Sequence, residues 1–226
     1  MPDENLIVVL RLEGALQSWG EDSHWNHRDT GEFPTKSGIL GMLGCALGLE
    51  KGDQALIELE QAFTMAVRAD RAGTRLVDFH TVTGSPLLTA DGKPRSVGNT
   101  FISRRDYLQD ACFTVFLQID PKWRGRVKEA LKNPIWPIYL GRKNCIPSKP
   151  VFMEETVEYA SLIDAVFHYQ PDARAVKPMA FEIEDRDDSL VSLSRPDKMV
   201  SADRAFALRS VWRGTVKEEE NVPVKD

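Results

Sequence analysis

The chain has 226 residues, 42% of them hydrophobic and 28% charged, which excludes wholesale disorder and collagen-like repeats. A formal net charge of −5 excludes a polycation that coats nucleic acid over its whole surface. At this length one large domain or two small ones can bury a core without disulfides or structural metals.

The first ten residues, MPDENLIVVL, begin with acids and lack the basic start of a secretory signal. No apolar run is long enough to span a bilayer, so no membrane partner is expected. Residues 6–12 form a short apolar run that reads as a buried strand. A polar loop over 17–32 follows, carrying Trp19, His24, Trp25, His27 and Arg28. Pro34, Thr35, Lys36 and Ser37 then open GILGMLGCALGLE, which reads as a helix with a start signal. Gly38, Gly41, Gly44 and Gly48 recur at helical spacing, and a smooth glycine face predicts close packing against a sheet. A second helix is predicted over 54–62 and a strand over 63–68.

Residues 75–83 and 99–108 read as two extended arms around the turn-rich stretch TGSPLLTADGKPRSVG, a projecting hairpin. ACFTVFLQI, residues 111–119, is a strong strand; a short amphipathic helix follows around Trp123, Val127 and Leu131, and then a strand over 135–140 ending at Gly141. With the hairpin as an insertion, this is the βαββαβ order of a modified ferredoxin-like α+β domain. Residues 1–150 are expected to form that domain, with the thumb-like insert over 75–108. Residues 151–226 are expected to form a small, mainly β region: a helix over 161–169, strands over 180–183, 190–193 and 206–216, and a frayed charged tail. Cys45, Cys112 and Cys145, odd in number and far apart, read as buried thiols in a reducing, cytoplasmic setting.

Charge is unevenly distributed. Residues 66–149 hold 15 Lys and Arg against 7 Asp and Glu, whereas the rest hold 14 against 27. Such asymmetry fits a single nucleic-acid face, and equally an uneven solvated surface. Three stretches are candidates for that face. At the helix start, Thr35, Lys36 and Ser37 combine free N–H groups with a cation, a phosphate seat or a plain helix cap. On the hairpin, Lys93, Arg95, Arg104 and Arg105 are interleaved with Phe101 and Tyr107, with His80 on the other arm; cations would hold the backbone while rings stack on bases. After Gly141 come Arg142, Lys143 and Asn144, a guanidinium for bidentate phosphate binding or an ordinary basic turn.

Catalytic constellations are thin. His24 and His27 lack further zinc ligands nearby in sequence, so neither a metal nor another cofactor is expected. There is no GxSxG, HExxH or paired CxxC. His80, Tyr107 and Lys143 could in principle cleave RNA without a metal, although the sequence does not bring them together.

Five ordered stretches carry a family resemblance: LRLEGALQSWG, GEFPTKSGILGMLGCALGL, DFHTVTG, SRRDYLQDACFTVFL and PIYLGRKNCIPSKPVF, with an echo in FALRSVWRGTV. They resemble the CasD-type subunits of type I-E CRISPR Cascade complexes, within the repeat-associated RNA-binding protein superfamily. The resemblance implies a non-catalytic subunit that caps the 5′ handle of the CRISPR RNA and joins the backbone subunits to the large subunit, with target DNA nearby. It implies that the thumb bends the RNA at the handle–spacer junction. The RNA-contact candidates are then Thr35, Lys36, Ser37, His80, Arg95, Asn99, Arg104, Arg105, Tyr107, Arg142, Lys143 and Asn144. A related branch of the superfamily cleaves precursor RNA, so a metal-independent endoribonuclease is the alternative.

Overall fold

A computed structural model describes residues 6–89, 91–95, 100–185, 193–201, 203 and 205–217. The first strand, β1 (Ile7–Glu13), is buried along nearly its whole length because both of its faces are covered. Val8, Leu10 and Leu12 join one core cluster, while Ile7 and Val9 join the other. Two short strands follow, β2 (Leu16–Gln17) and β3 (His27–Arg28). Then come α1 (Lys36–Leu47), α2 (Gln54–Gln61) and β4 (Phe63–Arg71). The two arms of the expected hairpin are β5 (Thr74–Thr83) and β6 (Thr100–Gln109), paired antiparallel throughout. After β7 (Cys112–Ile119) come α3 (Pro121–Lys132), β8 (Phe152–Thr156), α4 (Leu162–His168), β9 (Met179–Glu184), β10 (Leu193–Met199) and β11 (Phe206–Val216).

The architecture is α+β. A seven-stranded antiparallel sheet runs in the order β10-β11-β9-β4-β7-β1-β8, and β5 and β6 form a second small sheet with β2 and β3. Apolar side chains of α1, α2 and α3 pack with one face of the large sheet and those of α4 with the other. Each helix starts on a sequence-encoded cap: Thr35, Asp53, Asp120 and Ser161 each accept an N–H from the first turn.

The strand expected over 135–140 is not formed. Pro137 deprives that stretch of a ladder donor, and Pro134 lies immediately before it. The N–H groups of Ile135 and Trp136 instead donate to the carbonyls of Ala46 and Cys45, at 2.9 and 3.2 Å, closing the end of α1. The edge position beside β1 is taken by β8.

The glycines of α1 also depart from expectation, because they do not meet the sheet. A Cβ on Gly38 would lie 2.9 Å from the Trp19 ring, on Gly44 2.7 Å from Leu56, and on Gly48 2.8 Å from Ile135. Gly41 faces open space. Beyond residue 150, β9 and β11 continue the sheet that begins with β4, and β8 covers its other edge. The strand expected over 190–193 begins at Leu193, and residues 190–192 lie outside the described residues. So does the tail over 218–226. Among the described residues no helix is long and apolar enough to cross a membrane.

Candidate nucleic-acid interface

Register separates the two arginines of β6. Arg105 lies opposite Asp78, and His80 opposite Ser103, on one face of the hairpin; Arg104 lies opposite Phe79 on the other. The first face contributes Asp78, His80, Arg105 and Tyr107 to a cavity of about 530 Å³, whose other wall is the loop holding Tyr139, Gly141, Arg142, Lys143 and Asn144. Six of the sequence candidates, drawn from the hairpin and from the stretch after Gly141, therefore share one concavity, and none comes from the helix start. His80, Tyr107 and Lys143 are among them.

The cavity's frame is rigid for identifiable reasons. Gly141 has φ +87°, and a Cβ there would sit 1.7 Å from the Ser18 carbonyl oxygen, so only glycine fits. Asn144 Nδ2 donates to the Tyr107 hydroxyl at 3.0 Å, and the Arg142 guanidinium lies 4.8 Å from the centre of the same ring. Arg142 also donates to three backbone carbonyls, those of Asp106, Arg28 and Asp29, at 3.1, 2.7 and 3.0 Å. It thus ties β6 and the 17–32 loop to the cavity wall. This corrects the expectation of a guanidinium held open for phosphate, since most of its donors are engaged.

The carboxylate of Asp29 organises the loop from inside. Burial alone would push its carboxyl up, but the Ser23 hydroxyl and the N–H groups of Asp22 and Glu21 hold it below the ordinary carboxylate range. Asp106, 5% exposed, accepts from Arg75 at 2.9 Å and lies 3.1 Å from His27 Nε2. His27 is thereby a partner of the hairpin, while His24 is exposed at the loop surface beside Asp22. What remains available in the cavity is Lys143, exposed and without an ion pair among the described residues, together with partly exposed Arg105 and His80.

The helix start is a different environment. Thr35 caps α1 by accepting the Gly38 N–H at 3.1 Å and is 3% exposed. Lys36 is 1% exposed; its ammonium lies 2.9 Å from Glu184 and 3.1 Å from Glu60, and its backbone N–H donates to Asp197 at 2.8 Å. A phosphate could reach neither group without displacing a carboxylate. Lys36 is therefore a buried structural cation, contrary to the phosphate-seat expectation. Ser37 is half-buried and lines a separate cavity beside α1.

On the hairpin's other face, Arg104 sits among exposed Val77, Phe79 and Ile102. Arg95 stands over the Phe101 ring at 5.0 Å near the hairpin tip, away from the Arg105 cavity's lining. Asn99 lies outside the described residues. Sequence reading missed Asp78, although it sits two residues from His80, the spacing that puts strand neighbours on one face; Tyr139 comes from the segment over 135–140, whose expected strand does not form.

The cysteines are free thiols: Cys112 and Cys145 are buried, and Cys45 is half-buried. Burial pushes the Cys112 thiol up to about 12, against the pull of Arg71. Among the described residues Cys112, Glu13 and Asp172 have ligand atoms within 4.8 Å of one another, but Arg71 pairs with both carboxylates, so the charge there is already balanced.

The chain matches a family model described as CRISPR-associated protein (Cas_Cas5) over residues 7–212. It is 31% identical over 206 residues to the CRISPR system Cascade subunit CasD of Escherichia coli (strain K12), an alignment spanning 83% of this chain and 90% of that one. Among solved structures, a chain of a CRISPR RNA-guided surveillance complex aligns with a TM-score of 0.71 at 30% identity, covering 93% of this chain and 90% of that chain. A crystal structure of a Cas protein aligns with a TM-score of 0.69 at 31% identity, covering 93% and 95% of the two chains.

Proposed function

This chain belongs to the Cas5 family of CRISPR-associated proteins, and from that premise we propose that it is a non-catalytic Cascade subunit seating the 5′ handle of a CRISPR RNA between the hairpin and the 139–144 loop. The observation that carries this reading is the convergence of His80, Arg105, Tyr107, Lys143 and Asn144 on one cavity framed by Gly141 and Arg142. Lys143 and Arg105 would grip phosphates, Asn144 and His80 would meet sugar or base edges, and Arg142 would hold the wall in place. A net-acidic protein with one such face binds a single RNA end without coating bulk nucleic acid.

Other parts of the chain fit the same role. The antiparallel order β4-β7-β1-β8, with α1 and α3 in the crossovers, supports a ferredoxin-like RNA-binding unit whose fourth strand, β8, lies just past the expected boundary at residue 150. The rest of residues 151–226 would then buttress it. The exposed Val77–Phe79–Ile102 face of the thumb would meet the backbone subunit, and the large subunit would close the assembly near target DNA, in the cytoplasm.

Replacing both Arg105 and Lys143 with Ala in the assembled complex should lower RNA retention about tenfold or more, since charge-assisted contacts are the stronger ones. RNA content equal to the parent complex would overturn the reading. The shared cavity also lends weight to the alternative, metal-independent cleavage of repeat RNA by His80, Tyr107 and Lys143. Tyr107 is 2% exposed with its hydroxyl held by Asn144, which favours binding over catalysis. Cleavage of repeat RNA in EDTA, lost in His80→Ala, would establish the enzyme instead.

A further inference from the structure

The outer strand of the hairpin, β5, is an open sheet edge. We propose that this edge takes up an added β-strand from a neighbouring protein subunit, an extended segment with apolar side chains at alternate positions and an acid among them. This rests on the reading above in which the Val77–Phe79–Ile102 face of the thumb meets a subunit of the assembly.

Unpaired strand edges invite pairing with other chains, and proteins blunt them with short strands, prolines, bulges and charges. The large sheet is blunted in this way at both ends. β10 carries Pro196 and Lys198 with a register shift beside them, and β8 is five residues long and holds Glu154 and Glu155. β5 has none of these devices. It is ten residues, TRLVDFHTVT, without proline, glycine or lysine. Among the described residues its backbone makes no hydrogen bond outside the ladder with β6.

The free groups of that edge can be assigned residue by residue. β3 and β5 both pair with β6 at Arg104 and Arg105, so they flank it, and the Arg104 N–H donates to Asn26 on the β3 side. In an antiparallel pair, a residue facing a partner whose N–H points away has its own N–H and C=O pointing away too, and the pattern repeats every second residue. Phe79, opposite Arg104, therefore turns its N–H and C=O to the open edge, as do Val77 and Thr81.

Side chains on the same face set the chemistry of the incoming strand. Val77 and Phe79 are 54% and 62% exposed, beside exposed Ile102, around a cavity of about 660 Å³. The cation lining it, Arg104, is exposed and has no ion pair among the described residues, whereas the carboxylate of Asp106 already holds Arg75 and faces His27. Apolar side chains with an acid within reach of Arg104 complement that face. The incoming strand's other side chains would lie beside Asp78 and His80, at the RNA seat, and should be neutral or basic. Main-chain bonds would supply affinity and the alternate side chains specificity.

The test compares amide hydrogen exchange in the free full-length chain and in the assembled complex. In the free chain the amides of Val77, Phe79 and Thr81 should exchange freely, while the ladder protects those of Asp78 and His80. In the complex the first three should slow about a hundredfold or more. Two variants separate backbone from side chain. Thr81→Pro removes one outward N–H and no ladder bond, and should lower retention of this chain in the complex about tenfold. Continued protection of Asp78 and His80 in that variant shows an intact hairpin. Phe79→Thr keeps every backbone group, loses the ring, and should also weaken assembly. If Phe79→Thr alone weakens it and the outward amides stay exchangeable, strand addition is wrong and the subunit reading stands. If neither variant changes assembly and exchange is the same in both states, the thumb meets no subunit and both readings fall. Protection in the free chain with a doubled mass would assign the edge to a second copy, and protection by RNA alone would assign it to RNA; either overturns the proposal.

Discussion

Two short stretches of this chain, Thr35-Lys36-Ser37 and Gly141-Arg142-Lys143-Asn144, look alike as sequence: each follows a chain break signal and offers a cation beside small polar groups. In the folded molecule they have opposite fates. Lys36 is sealed against Glu184 and Glu60, while Lys143 faces the open cleft. What separates them is supplied from far along the chain. Asp197 takes the Lys36 N–H across 161 positions, and Glu184 takes its ammonium across 148. A local motif states what a segment can bind; remote carboxylates decide whether that capacity is used internally.

The contrast is broken most violently at Lys36. Lys36→Met leaves Glu184 and Glu60 buried without their cation, and should cost about 3–5 kcal/mol of unfolding free energy, read from a denaturant titration. A loss below 1 kcal/mol would mean that the ammonium is dispensable and that the helix start is less committed to folding than its geometry implies. Gly141→Ala comes next. It combines a positive φ with a clash against Ser18, for about 2–4 kcal/mol, and should abolish RNA retention along with the cleft wall.

Asp197 sharpens the comparison through pH. Burial pushes its carboxyl up, but Arg209 and the Lys36 N–H outweigh burial and hold it below its ordinary 3.8. Its folded-state value lies below the unfolded one, so its contribution is fully present above about pH 4 and is lost as pH falls through the folded-state value. Asp197→Asn should therefore be less stable than the parent at pH 6, with the gap narrowing in acid. A constant gap from pH 6 to pH 3 would show that Asp197 does not link the helix start to acid stability.

The sequence was legible where local chemistry decides. The start of α1 at Thr35, the burial of β1, and the arms of the hairpin all follow from residue type and period. It failed where partners are remote or donors are missing. Ile135 to Leu140 has the composition of a strand, yet two prolines turn its free N–H groups toward α1. Arg142 has the look of a phosphate ligand, yet three carbonyls from two other segments engage it. The family was readable from five motifs in order, while the meeting of His80, Tyr107 and Lys143 required the fold, because 27 and 36 positions separate them in turn.

The smallest structural effect tests the other half of the contrast. Lys143→Ala removes an exposed side chain with no ion pair among the described residues, so stability should change by no more than about 0.5 kcal/mol. Its effect should appear only in how RNA retention depends on salt. If Lys143 neutralises one phosphate of a single strand, the slope of log affinity against log salt should flatten by about 0.7. Loss of affinity with an unchanged slope would assign Lys143 to a neutral contact with sugar or base. An unchanged slope with unchanged affinity would place the RNA elsewhere, and Lys143 would then resemble Lys36 in having nothing to do with phosphate, but for want of a partner instead of an excess of them.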